Sequence, residues 1–237
     1  MAISANTLFH FTDSLDKLIS ILKHKFRPCY HDEKSLLSEL LLDVHTLKAL
    51  KLSIGWVIPM VCFCDLPLSM VSRHMRYYGS YALGMSKNWG IRKGLNPVLY
   101  LCGNSDLAHA LGIFHKKSYK KSRRVEAYMK PYEHSGKRYY DEREWRYVPN
   151  PRNAKNLWIT PDIYTNKKKL DCANQLMGDR FKLSFAPSDI RYIVIKSEAE
   201  RLPLIRAIGE IKYKHSKSII MKLSSRILSS RQIREDL

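Results

Sequence analysis

Apolar and polar positions alternate through "LFHFT" at residues 8–12, so that an extended chain would carry Leu8, His10 and Thr12 on one face and Phe9 and Phe11 on the other. The pattern predicts a strand whose phenylalanines anchor a core while His10 and Thr12 look elsewhere. The period then lengthens. Leu15, Leu18, Ile19 and Leu22 recur at helical spacing behind Asp13 or Ser14, either of which can cap a helix. A second apolar-rich helix is predicted over 33–50. "WVIPMVCFCDLP" at 56–67 predicts a strand in which Val61 and Phe63 alternate with Cys62 and Cys64 and which Pro67 stops. Residues 68–90 read as a short helix, a break at Gly79 and a strand through Tyr81 to Met85. Further on, the pattern predicts a strand over 96–104, a helix turning basic over 105–125, alternation over 139–150, strand then helix over 189–211, and a last strand over 217–224. Strands and helices mix without a βαβ rhythm, an internal repeat or a Pro/Gly/Ser linker, which predicts an α+β fold in a single domain.

Charge changes the picture. The 237 residues carry a formal net charge of +19 and a pI of about 9.7, which makes polyanions natural partners. Residues 1–115 hold only +4 of this, and residues 116–237 the remaining +15. The second half opens on "KKSYKKSRR", where Lys116, Lys117, Lys120, Lys121, Arg123 and Arg124 interleave with Tyr119 and two serines. Such a run is either a solvated charged loop or a set of phosphate contacts to nucleic acid. The five cysteines are an odd number and no signal peptide is legible at the start, so reduced thiols and a cytoplasmic location are expected. Cys62 and Cys64 share a strand face, but no paired CxxC or histidine pair completes a zinc set, and no metal is expected. No apolar run reaches the roughly twenty residues that span a bilayer.

The residues with most chemistry lie in "DEREWRYV". Strand alternation puts Glu142, Glu144, Arg146 and Val148 on one face, with the two carboxylates ~7 Å apart. Like charges that close raise the proton affinity of one of them if partly buried, while Arg146 opposes the effect. The set could stabilise developing positive charge, or it could be an ion-pair ladder on an edge strand. A nuclease built on His10, His74 or His134 has no sequence feature to bring those histidines together.

Two resemblances attach to these stretches. "HFT" followed by "LDKLISIL" and the "VCFCDLPLSM" strand resembles the opening of ADP-ribosyltransferase-fold proteins, especially the DNA-modifying DarT toxins. "CFCDLPLSMVSRHMRYYGSYALGMSKNWG" together with "YYDEREWRYVP" resembles the AbiGi family of phage-defence proteins, described as antitoxins, over most of residues 8–200. The first resemblance implies split mixed sheets with peripheral helices, a core over about 5–200 followed by a basic extension over about 201–237, and a pocket for NAD as substrate. In that pocket His10 would contact the ribose next to the adenine and Thr12 the nicotinamide side. Tyr78 would stack on nicotinamide, with Tyr77 and Tyr81 as competitors, and Glu144 would be the catalytic glutamate, with Glu142 completing a Glu-x-Glu pattern. A carboxylate suits that role because cleavage of the nicotinamide bond passes through an oxocarbenium-like state. Two functions are therefore expected to compete. One is transfer of ADP-ribose from NAD to a nucleic acid or nucleic-acid-associated target. The other is a non-enzymatic antitoxin-like module that binds nucleic acid or a cognate toxin through its basic surface.

Overall fold

The computed structural model describes residues 5–31, 57–103, 105–117, 125–150, 157–211 and 216–236. The helix expected over 33–50 lies outside them. In chain order the elements are β1 (Thr7–Thr12), α1 (Leu15–His24), β2 (Cys29–His31), β3 (Ile58–Cys64), α2 (Val71–Tyr78), β4 (Tyr81–Ser86), α3 (Lys87–Arg92), β5 (Asn96–Pro97), β6 (Leu99–Leu101), α4 (Asp106–Lys117), β7 (Met129–Pro131), β8 (Glu133–His134), β9 (Lys137–Arg138), β10 (Glu144–Tyr147), α5 (Pro161–Thr165), α6 (Lys167–Arg180), β11 (Ile190–Ile195), α7 (Arg201–Ile211), α8 (Lys217–Ser224), β12 (Ile227–Ser229) and α9 (Ser230–Asp236). Helices and a mixed sheet make this an α+β protein. The chain divides into two compact units, the first comprising residues 1–27, 62–95 and 182–237, the second 28–61 and 96–181.

In the first unit the strands run in the order β12-β11-β4-β1-β3. β1 pairs antiparallel with β4 along its whole length, from Thr7 opposite Ser86 to Thr12 opposite Tyr81, and β12 joins β11 in parallel. Both faces of β1 are covered. Phe9 packs with Cys64, Leu66, Val71, Met75, Ala82, Val194 and Ile233 on one face. On the other, the rings of Phe26, Phe63 and Trp89 meet at 5.1–5.8 Å between centroids, and Phe185 closes on Phe26 at 5.2 Å. Phe9 does anchor a core, but the face carrying Leu8, His10 and Thr12 is covered too, with Leu8 as completely enclosed as Phe9 and Thr12 also buried. Ser14 is the cap of α1, its hydroxyl accepting from the Lys17 N–H, while Asp13 pairs with the Lys17 ammonium at 2.7 Å.

The residues from Arg201 onward, set apart in sequence as an extension, complete this unit, with Leu204, Ile208, Ile227 and Ile233 all buried. Residues 217–224 form a helix and not the expected strand; the last strand is β12. The adjacent Ile219 and Ile220 suggest a strand, but with Leu223 they make a helical stripe, and Met221 and Lys222 face outward.

In the second unit β2 pairs with the first residues of β3, β10 with β5, and β6 in parallel with β7. β8 and β9 form a hairpin through Ser135 and Gly136, both at positive φ (49° and 76°), the geometry that suits the twist of a two-residue turn. The stretch expected as one strand over 96–104 is broken into β5 and β6. α5 and α6, for which the apolar pattern gave no signal, close over Tyr30, Val57, Leu157, Ile159 and Met177. The Tyr30 hydroxyl donates to the Leu157 carbonyl inside that cluster, and burial pushes its pKa up to about 12.

Candidate functional site

The two glutamates of the Glu-x-Glu pattern do come together, by a route other than strand alternation. Residues 139–142 form a single 3-10 turn, Arg143 adopts left-handed backbone geometry (φ 45°, ψ 51°), and only Glu144–Tyr147 is strand. The turn brings Glu142 and Glu144 to one cation, Lys130 of β7. Its ammonium lies 2.7 Å from Glu142 Oε2 and 2.9 Å from Glu144 Oε2. Arg146 donates to Glu144 from Nε at 2.7 Å and from Nη2 at 3.2 Å, and its Nη1 donates to the Ala127 carbonyl at 3.0 Å. Lys137 reaches Glu142 Oε1 at 2.8 Å. Every oxygen of both carboxylates therefore has a cationic partner.

This cluster is deep. Glu142, Glu144, Lys130 and Arg146 are all buried, and Arg146 has no exposed surface at all. Burying a charge costs several kcal/mol, offset only by close partners for each group. Among the described residues, three cations face these two carboxylates, an excess of one positive charge. The ring of Tyr139 takes up part of it, with the Lys130 and Lys137 ammonium groups 4.7 and 4.8 Å from its centroid. The Tyr100 hydroxyl accepts the Glu144 backbone N–H at 2.8 Å, and burial holds its pKa well above the usual tyrosine range, with the Glu144 charge acting in the same direction. Lys130 and Tyr100 are absent from the sequence expectations. The signal for Lys130 was there: a lysine between Met129 and Pro131, in a segment otherwise apolar enough to be buried.

The other expected site residues, His10, Thr12, Tyr78 and Tyr81, lie in the first unit. His10 Nδ1 is 2.8 Å from the Cys62 carbonyl, and its ring packs against Phe26 and Phe63 at 5.1 and 5.5 Å. Thr12 is buried and faces Tyr81 across the β1–β4 ladder. The Tyr81 hydroxyl donates to Glu200 at 2.6 Å; burial first, and this carboxylate second, push its pKa up to about 12. Tyr78, at the end of α2, stacks on His74 at 4.6 Å, and His74 in turn meets Phe11 at 5.1 Å. Because His10 and Phe11 are successive strand residues, His10 and Tyr78 lie over opposite faces of the sheet. The expectation that these two side chains line one pocket is corrected.

His74 is itself buried, and its Nε2 lies 2.9 Å from Cys64 Sγ. The helical spacing of Val71, His74 and Met75 carried the hint that this histidine faces inward. Among the described residues no group of three or more potential metal ligands converges. No helix among them is long and apolar enough to cross a membrane. Lys116 and Lys117 end α4. Lys120, Lys121, Arg123 and Arg124 lie outside the described residues.

Residues 44–196, more than half of the chain, match the family described as "Putative abortive phage resistance protein AbiGi, antitoxin". An abortive phage resistance protein AbiGi from Lactococcus lactis subsp. cremoris is 29% identical over 225 residues, covering 76% of this chain and 89% of the relative. No solved structure matches the chain.

Proposed function

The chain belongs to the AbiGi family of abortive phage resistance proteins, and from that premise we propose that it is an antitoxin-type binding module, engaging an acidic partner through the positive charge of its second half. The observation that carries this reading is the saturation of Glu142 and Glu144. A carboxylate stabilises an oxocarbenium only to the extent that its charge is not already neutralised. Glu144 is held by Arg146 and Lys130, and Glu142 by Lys130 and Lys137. The most exposed member of the cluster is Lys137, whose side chain is 43% exposed.

The finer reading, transfer of ADP-ribose from NAD within an ADP-ribosyltransferase-like arrangement of strands, rests on "HFT" and on the Glu-x-Glu pattern. It requires Glu144 to leave two cations before acting as the catalytic carboxylate, and it requires a ligand contact from His10, whose ring is packed among aromatic side chains.

The test is salt-dependent retention on an immobilised polyanion. Changing Lys120, Lys121, Arg123 and Arg124 together to glutamate is expected to cause early elution and to flatten the log–log salt dependence by ~3–4 if all four contact the polyanion. Unchanged retention and slope in the folded variant would remove the basic run from the account.

A further inference from the structure

We infer that Cys64 is a peroxide-reactive nucleophile, with His74 as its base, in a site that admits a small hydroperoxide and excludes bulkier electrophiles. Cysteine reacts as its thiolate, so a thiol is set apart from others by a group placed to take its proton. His74 Nε2 lies 2.9 Å from Cys64 Sγ, within hydrogen-bond reach. A nucleophile and a base at this range, with the base itself oriented by further groups, is the arrangement of an activated side chain. The imidazole is held in this way. Tyr78 stacks on it at 4.6 Å and 25°, and Phe11 of β1 meets it at 5.1 Å. The helix that carries it is seated as well, since Val71 and Met75 are buried and a Cβ at Gly79 would stand 2.3 Å from the Thr12 carbonyl oxygen.

The site is narrow but not sealed. Phe9, Leu66, Val71, Met75 and Ala82, in the same cluster as Cys64, are all buried. Cys64 keeps 9% of its surface and His74 8%. Because Phe9 is opposite Cys64 in the antiparallel β1–β3 pair, Phe11 and Cys62 follow on the same sheet face, and both are half-buried. That flank is the way in. A hydroperoxide, with two oxygens and no bulk, suits it better than a carbon electrophile of any size.

The step balances on the two side chains. Sγ attacks one oxygen of hydrogen peroxide, and the S–O bond forms as the O–O bond breaks. The thiol proton passes to His74 Nε2 and from there to the departing hydroxide. Sulfur is oxidised by two electrons, peroxide is reduced, and the products are cysteine sulfenic acid and water. If exposure alone governed oxidation, Cys29, Cys102 and Cys172 would react first, since all three are exposed.

The experiment treats the reduced full chain with hydrogen peroxide near neutral pH and quenches with catalase. The chain is then unfolded in iodoacetamide, and the surviving thiols are mapped by peptide mass spectrometry. Cys64 is expected to be lost first of the five. His74→Phe, which keeps a ring under Tyr78, should slow that loss ~100-fold, the lower end of what a positioned base contributes, and should leave Cys29, Cys102 and Cys172 unchanged. A polyethylene-glycol maleimide should label those three and spare Cys64. Circular dichroism confirms that the variant is folded. Loss of Cys64 no faster than that of the exposed thiols overturns the proposal, as does an unchanged rate in folded His74→Phe. Maleimide labelling of Cys64 as fast as of the exposed thiols overturns it too, because oxidation would then follow opening of the fold. The first and last comparisons use wild type alone and decide the matter if His74→Phe does not fold.

Discussion

The two units bury different materials. The first encloses aromatic rings: Phe9, Phe26, Phe63 and Trp89 each have at most 1% of their surface exposed. The second encloses an ion cluster, with Arg146 fully buried and Glu144 and Lys130 nearly so. An aromatic core gains by removing area from water, and each ring contributes on its own account. A buried ion cluster contributes little net stability, yet every member depends on its partners. The same depth of burial therefore implies opposite responses to mutation.

The largest effect expected is a destabilisation of ~3–5 kcal/mol for Arg146→Ala, because Glu144 would keep its charge and lose its two-pronged partner. Phe63→Ala should cost a similar ~3–5 kcal/mol through the cavity it leaves. What separates them is rescue. Replacing Glu144 and Arg146 together by methionine should bring urea-unfolding stability back to within ~1–2 kcal/mol of wild type, since Lys130 and Lys137 still satisfy Glu142. No second apolar truncation should restore Phe63→Ala. A double variant as unstable as Arg146→Ala alone would break the comparison.

A smaller effect sharpens it at high pH. Tyr81 in the first unit and Tyr30 in the second both have pKa values raised from 10.0 to about 12, chiefly by burial. Their neutral forms are favoured in the folded chain. The stability this gives is fully present below pH 10 and is lost as pH rises toward 12, because the unfolded chain ionises first. Tyr81→Phe should cost ~1–2 kcal/mol near neutrality, through its hydrogen bond to Glu200, and should make the alkaline decline shallower. Urea midpoints measured across that pH window check both. A decline as steep as in wild type would mean that Tyr81 ionises normally in the folded protein.

Legibility in the sequence followed the strength of local period. "LFHFT", the α1 stripe and β3, which ends at Cys64 just short of Pro67, were readable because one residue pattern matched one element. Residues 217–224 were misread because an Ile-Ile pair fits both periods, and the environment of Met221 decides between them. At the candidate site, the nearness of Glu142 and Glu144 was legible, but their neutralisation was not. It depends on Lys130, distant in sequence, and on a left-handed turn at Arg143 that no composition rule for arginine suggests. The pairing of Cys64 with His74 likewise needed the packing of α2 on β3 to become visible.

The most direct test of a structural role for Glu144 is release of nicotinamide from NAD by the purified protein, with nucleic acid and cell lysate supplied as acceptors. It is compared with a charge-balanced variant, Lys130→Met with Glu144→Gln. The account predicts that wild type and variant release no more nicotinamide than the protein-free control. Sustained release by wild type that disappears in the folded variant would contradict it.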